Sequence, residues 1–247
     1  MSGGVGGGGM AELAALLADG TRAGICLALL DGRAWTAGEL ARRAGVAPST
    51  ASEHLTRLVR GGLLVEERQG RHRYLRLAGP SVAQLIEDLA GHAPAPPAPT
   101  TSLRAASASA ALAYARTCYD HLAGRLGVLL YDALLAAGRL DRSSGLALTP
   151  DGWDWAAGLG VPVDVLHATR RPVVRDCLDW TERRPHLAGA LGAALRQRFA
   201  ELGWITQGAG RAVRLTPIGR AALAESLDVP VHTLLPDPPA APTSGRA

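Results

Sequence analysis

Three cysteines and seven histidines are the residues of this chain best suited to metal or redox chemistry, and a few are spaced to act together. Cys118 and His121 lie three apart in a stretch that reads as helical, so thiol and imidazole should share one face. Cys177 takes the place of Cys118 in a second copy of the surrounding sequence. RTCYDHLAGRLG at residues 116–127 is echoed by RDCLDW at 175–180 and by HLAGALG at 186–192. If the copies pack about an approximate two-fold, the two thiols approach each other near its axis. Two thiolates and an imidazole form a soft site for zinc, cadmium, lead or arsenite. Two neighbouring thiols can instead form a redox pair. Plain packing is the other reading: small buried hydrophobes, with Arg116, Asp120, Arg175 and Asp179 in structural salt bridges. Cys118, His121 and Cys177 are therefore the candidate effector ligands, and a soft divalent metal or arsenite the candidate cofactor.

The duplication extends beyond those residues. Gly138-Arg139-Leu140 leads to Leu148-Thr149-Pro150-Asp151-Gly152, and Gly203-Trp204-Ile205 leads to Leu215-Thr216-Pro217-Ile218-Gly219. Each copy reads as a Cys-bearing helix, a helix ending at Gly, a two-stranded hairpin and a helix begun after Thr-Pro, with TERRP inserted in the second copy. Tyr114, Tyr119, Tyr131 and the tryptophans from Trp153 to Trp204 also fall in this half. They could line a pocket for an organic ligand or simply pack the core.

A different chemistry is written into residues 36–77. Thr36 with Glu39 forms a capping box that starts a helix, and Gly45 ends it. Pro48 suits the first turn of a second helix, in which Ala51, Leu55, Leu58 and Val59 make one apolar stripe. Ser49, Thr50, Ser52, Glu53, His54 and Arg57 occupy its other face. Past Gly61-Gly62, residues 63–67 and 74–77 read as strands of a hairpin with its tip at Gln69-Gly70. This is a helix-turn-helix with a wing, whose polar face suits a DNA major groove. Between Arg42 and Arg76 eight Arg stand against three acids, while the whole chain carries only +4. Positive charge concentrated there is what phosphate contact requires. The DNA-contact candidates are Ser49, Thr50, Ser52, His54 and Arg57 on the helix, and Arg68, Arg71 and Arg73 on the wing.

The pattern Glu39-Leu40-Ala41, Gly45-Val46, Ser49-Thr50-Ala51-Ser52, His54-Leu55, Leu58, Gly62-Leu63 and the Arg71–Tyr74 strand resembles the ArsR-type bacterial winged-helix repressors over roughly residues 10–90. The resemblance implies a homodimer joined by the first helix and the helix after the wing, here the 81–90 stretch with Val82, Leu85, Ile86 and Leu89. It also implies an inverted-repeat operator. The family's metal sites do not carry over. Its Cys-x-Cys position holds Glu39-Leu40-Ala41-Arg42-Arg43, and the dimer helix offers Gln84, Glu87, Asp88 and His92 without a matching pattern. Cys26, among Ile25, Leu27 and Leu30, reads as a packing residue.

Other chemistries lack their motifs. No Gly-rich phosphate loop, G-x-S-x-G elbow, H-E-x-x-H or C-x-x-C is present, so an enzyme fused to a winged helix is the weaker alternative. Although 47% of residues are hydrophobic, no run approaches the ~20 needed to span a bilayer. The Gly-rich N-terminus has no signal-peptide pattern, which points to the cytoplasm. The expected architecture is mainly α with small β-hairpins (α+β). It comprises a disordered tail at 1–9, a winged helix-turn-helix at 10–91, a Pro-rich linker at 92–102, a sensor or dimerisation domain with the repeat at 103–229, and a disordered tail at 230–247. The expected function is a homodimeric DNA-binding regulator, a repressor, whose operator affinity is modulated through the C-terminal domain by a soft metal, thiol oxidation or an organic ligand. The alternative is a constitutive DNA-binding protein whose second half is structural only.

Overall fold

The computed structural model describes residues 7–70, 72–93 and 103–236. Arg71, the spacer from Pro94 to Pro99 and the outermost parts of both tails lie outside the described residues. The chain is 55% helical with small antiparallel strand pairs. It divides into two compact units, Met1–Pro94 with Thr117–Asp120, and Ala95–Arg116 with His121–Ala247. Among the described residues no single helix is long and apolar enough to cross a membrane.

The first unit opens with helices α1 (Gly7–Leu17) and α2 (Gly20–Ala28). Helix α1 begins inside the stretch expected to be disordered. Asp19 caps α2, accepting a hydrogen bond from the Arg22 backbone at 2.9 Å. The short strand β1 (Trp35–Thr36) leads into α3 (Ala37–Ala44). Thr36 and Glu39 close the capping box reciprocally, and Gly45 turns the chain at φ 68°, a conformation that residues with a Cβ rarely adopt. Helix α4 (Pro48–Arg60) buries Ala51, Leu55 and Leu58. The wing is β2 (Leu64–Gln69) paired antiparallel with β3 (His72–Leu77), in register Arg68 to Arg73. Strand β1 joins the other edge of β3, a pairing with no local sequence signal at two residues' length. Helix α5 (Pro80–His92) follows. Ile25, Leu29, Leu30, Leu40, Leu55 and Leu58 are among the core residues, with exposures of 1% or less. Cys26 lies among them as a small buried hydrophobe.

The second unit holds α6 (Leu103–Tyr114) and then the two repeats, except that Thr117–Asp120 of the first repeat group with the first unit. The first comprises β4 (Arg116–Cys118), β5 (His121–Ala123), α7 (Arg125–Ala136), β6 (Leu140–Asp141), β7 (Ala147–Leu148) and α8 (Pro150–Gly158). After α9 (Val163–Ala168) comes the second, β8 (Arg175–Leu178), β9 (Pro185–Ala188), α10 (Gly189–Glu201), β10 (Ile205–Gln207), β11 (Val213–Leu215) and α11 (Pro217–Leu227). The Cys-bearing element of each copy is therefore a β-hairpin and not a helix. The remaining order agrees with the expected one. The copies match at single hydrogen bonds: Thr149 caps α8 and donates its hydroxyl to Gly138 O at 2.8 Å, while Thr216 caps α11 and donates to Gly203 O at 2.8 Å. Helix α7 packs on β9 and α10 on β5, so each repeat covers the other's hairpin. Leu126, Leu134, Leu191, Leu195 and Phe199 lie at the centre. The 3-10 turn Val231–Leu234 continues order into the tail expected to be disordered, burying Leu234 and accepting the Tyr114 hydroxyl at the Leu234 carbonyl.

Candidate functional site

Two groups of side chains have chemistry to offer. The first is the face of α4. Its buried stripe leaves Ser49, Thr50, Ser52 and Arg57 exposed together, presenting hydroxyls and a guanidinium that can meet base edges and phosphates. His54 departs from that row. It sits one residue before buried Leu55, at the stripe's edge, and its side chain is only 15% exposed. Its Nδ1 lies 3.8 Å from Asp19 Oδ1 and 3.5 Å from Arg22 Nη1. The placement of His54 on the open polar face is therefore corrected: one step of helix rotation turns it toward the start of α2. On the wing, Arg68 is 78% exposed. Arg73 is instead held across the hairpin, its Nε donating to Glu66 Oε2 at 2.7 Å. Arg71 lies outside the described residues.

The second group is buried. Cys118 ends β4 and His121 begins β5, flanking the two-residue turn Tyr119–Asp120. Cys177 on β8 stands directly opposite His186 on β9. The four side chains are at most 3% exposed. One ligating atom from each residue, sulfur or ring nitrogen, lies within 4.8 Å of the other three. The two imidazoles stack at 5.1 Å between centroids, with their Nε2 atoms 3.1 Å apart. The expected trio of Cys118, His121 and Cys177 is thus brought together, by a pair of hairpins rather than along one helix face. His186 completes it. Sequence reasoning missed this fourth member, although the HLAG echo already paired His186 with His121.

Glycines allow the close approach. A Cβ on Gly127 of α7 would lie 2.6 Å from Leu122 O and 3.6 Å from His186 Cβ; one on Gly192 of α10 would lie 2.5 Å from Leu187 O and 3.2 Å from His121 Cβ. Each glycine thereby lets its helix lie against the strand of its own repeat, with the other repeat's histidine Cβ beside it.

A buried ion pair supports the hairpins. Arg116 and Asp179 are both 0% exposed and meet at 2.8 Å. Asp179 also accepts from the Gly124, Thr181 and Glu182 amides and the Thr181 hydroxyl. Burial alone would raise its pKa, but Arg116 and these donors outweigh burial and hold the carboxyl below the usual carboxylate range. Trp180 lies 4.6 Å beneath the Arg116 guanidinium. Asp179 Oδ2 stands 3.9 Å from His186 Nδ1, beyond hydrogen-bond reach. Of the aromatic residues that could line a ligand pocket or pack the core, Trp153 stacks on His167, Trp204 stacks on Phe199, and Trp155 donates to Ser226 Oγ.

A helix-turn-helix with an exposed polar helix and an adjoining wing defines a winged helix-turn-helix DNA-binding domain, and comparison with known proteins agrees. A family described as a helix-turn-helix domain matches residues 17–67. The chain belongs to the HTH-type transcriptional regulators. It is 42% identical over 224 residues to the HTH-type transcriptional regulator YdfF of Bacillus subtilis (strain 168), covering 90% of this chain and 98% of that relative. Among solved structures, the homodimeric winged helix-turn-helix DNA-binding domain of Mb0332 from Mycobacterium bovis is 34% identical, over 32% of this chain and 72% of its own, with a TM-score of 0.31. The cadmium metal-sensor CMTR from Mycobacterium tuberculosis is 35% identical, over 38% and 99%, with a TM-score of 0.30.

Proposed function

We propose that this regulator is an ArsR-type repressor that binds an inverted-repeat operator as a homodimer in the cytoplasm, without catalytic activity. The observation that carries the reading is the exposed row Ser49, Thr50, Ser52 and Arg57 on α4, beside a wing carrying the solvated Arg68. One such helix reads one major-groove half-site, so two copies suit a palindrome with half-sites about one helical turn apart. An apolar groove supports the dimer. Met10, Leu13, Leu17, Leu27, Leu85 and Leu89 line it, and Leu89 is 49% exposed although it belongs to the apolar stripe of α5. A second copy of the same face would bury it.

Operator affinity is set through the second unit, where an effector acts on the buried cysteine and histidine residues. A coupling of about 1–3 kcal/mol, or roughly 5- to 150-fold in affinity, is the ordinary range for such control. The test is footprinting on the DNA flanking its own gene, with light scattering on the free protein. A protected inverted repeat and a dimeric mass are expected. Protection of random DNA to the same extent, or a monomeric mass, would overturn the reading.

A further inference from the structure

We infer that Cys118, His121, Cys177 and His186 bind one divalent ion of the zinc class, and that this ion joins the two repeats. Each repeat supplies one thiol and one imidazole, from a different pair of strands, so no single hairpin can form the site. A tetrahedral ion with Zn–S near 2.3 Å and Zn–N near 2.0–2.1 Å sets its ligand atoms about 3.3–3.8 Å apart. The present atoms already lie within 4.8 Å of one another, and the two Nε2 atoms at 3.1 Å. A small adjustment of side chains therefore closes the shell.

Charge selects the ion. Two thiolates and two neutral imidazoles carry −2, which a divalent ion cancels in a site where an uncompensated charge would be costly. The neighbouring Arg116–Asp179 pair is already neutral by itself. Arsenite, which forms a bond to a thiolate at each of three positions, finds only two thiols here. Binding releases the two thiol protons and keeps both imidazoles neutral, so the site fills more completely as pH rises. Four protein ligands leave no open position, the arrangement of a structural site and not of a catalytic one. That the ion controls operator affinity rests on the regulatory reading above; that the ion binds does not.

The experiment uses the full chain, reduced and freed of metal, titrated with Co²⁺ and then with Zn²⁺. One Co²⁺ per chain is expected, with thiolate-to-metal charge transfer and the ligand-field bands of a tetrahedral site, displaced by one Zn²⁺. X-ray absorption of the zinc form should return two sulfur and two nitrogen neighbours. Cys177→Ser and His186→Gln should lose the cobalt spectrum, whereas Cys26→Ser should keep it. The absorption measurement needs no variant, so misfolded mutants leave the test intact. A shell of oxygen and nitrogen only, or a Cys118–Cys177 disulfide in place of the metal, would overturn the site. The zinc and metal-free proteins are then compared on operator DNA. A difference within the 5- to 150-fold range supports control by the ion; identical affinity with zinc bound refutes that control while the site stands.

Discussion

Asp179→Ala should be among the most destabilising single substitutions in the second unit. Wild type places the carboxylate against Arg116 at 2.8 Å with neither side chain exposed. The variant leaves a guanidinium buried with its partner gone, and Arg116 Nε already lacks a hydrogen-bond partner. Breaking a buried pair by removing one member costs about 3–5 kcal/mol, against a total stability of about 5–15 kcal/mol. With a urea m-value of about 2 kcal/mol/M, the midpoint should fall by about 1.5–2.5 M. Tryptophan fluorescence reports mainly on the second unit, since Trp153, Trp155, Trp180 and Trp204 lie there and Trp35 alone lies in the first. The double variant Arg116→Met with Asp179→Ala removes both charges and should recover most of the loss, giving a coupling of several kcal/mol in a cycle with Arg116→Met and Asp179→Ala. Acid provides a second readout. A carboxylate whose folded pKa is depressed contributes stability that is present above its unfolded pKa, near 4, and is lost as pH falls through the folded value. The gap between wild type and Asp179→Ala should thus be constant from about pH 7 to 4 and narrow below that. A single-variant cost under about 1 kcal/mol, or a double variant as unstable as the sum of the singles, would refute the argument.

Leu85→Arg with Leu89→Arg places two charges in the open apolar groove lined by both residues and should give a monomeric mass by light scattering if that groove is the proposed dimer interface; a dimeric mass would put the interface elsewhere. Arg68→Ala, altering a side chain that is 78% exposed, should weaken binding to every DNA sequence and reduce the slope of log affinity against log salt by about one. Ser52→Ala should change preference at particular base positions instead, and equal losses on all sequences would remove Ser52 from base reading. Gly219→Ala would set a Cβ 2.1 Å from the Trp204 carbonyl oxygen and should cost about 1–3 kcal/mol. Gly24→Ala, inside α2 with nothing within 4 Å, should gain about 0.5–1 kcal/mol; the opposite ordering in thermal melts would contradict the packing described. Burial pushes the Cys26 thiol up to about 12, with Arg22 offsetting part of the rise, so alkylation at about pH 8 should label Cys26 only after unfolding.

The first unit was largely legible because its signals are local. Thr36 with Glu39, Gly45, Pro48 and the Ala51–Leu55–Leu58 stripe each act within one or two turns of chain, and the helix-turn-helix follows from them. His54 was not legible, because whether a residue at the stripe's edge turns outward or inward depends on Asp19 and Arg22, more than thirty residues away. In the second unit the duplication was visible as repeated letters, and the Thr-Pro caps and glycine ends fell where expected. The form of the Cys-bearing elements was not. A three-residue spacing suits a helix as well as a hairpin, and the turn between Cys118 and His121 runs through Tyr119 at φ 57°, where neither glycine nor asparagine announces it. The sequence by itself determined that each repeat carries one cysteine and one histidine. Only the tertiary structure decided that all four meet, because α7 lies on β9 and α10 on β5, which brings the two hairpins together.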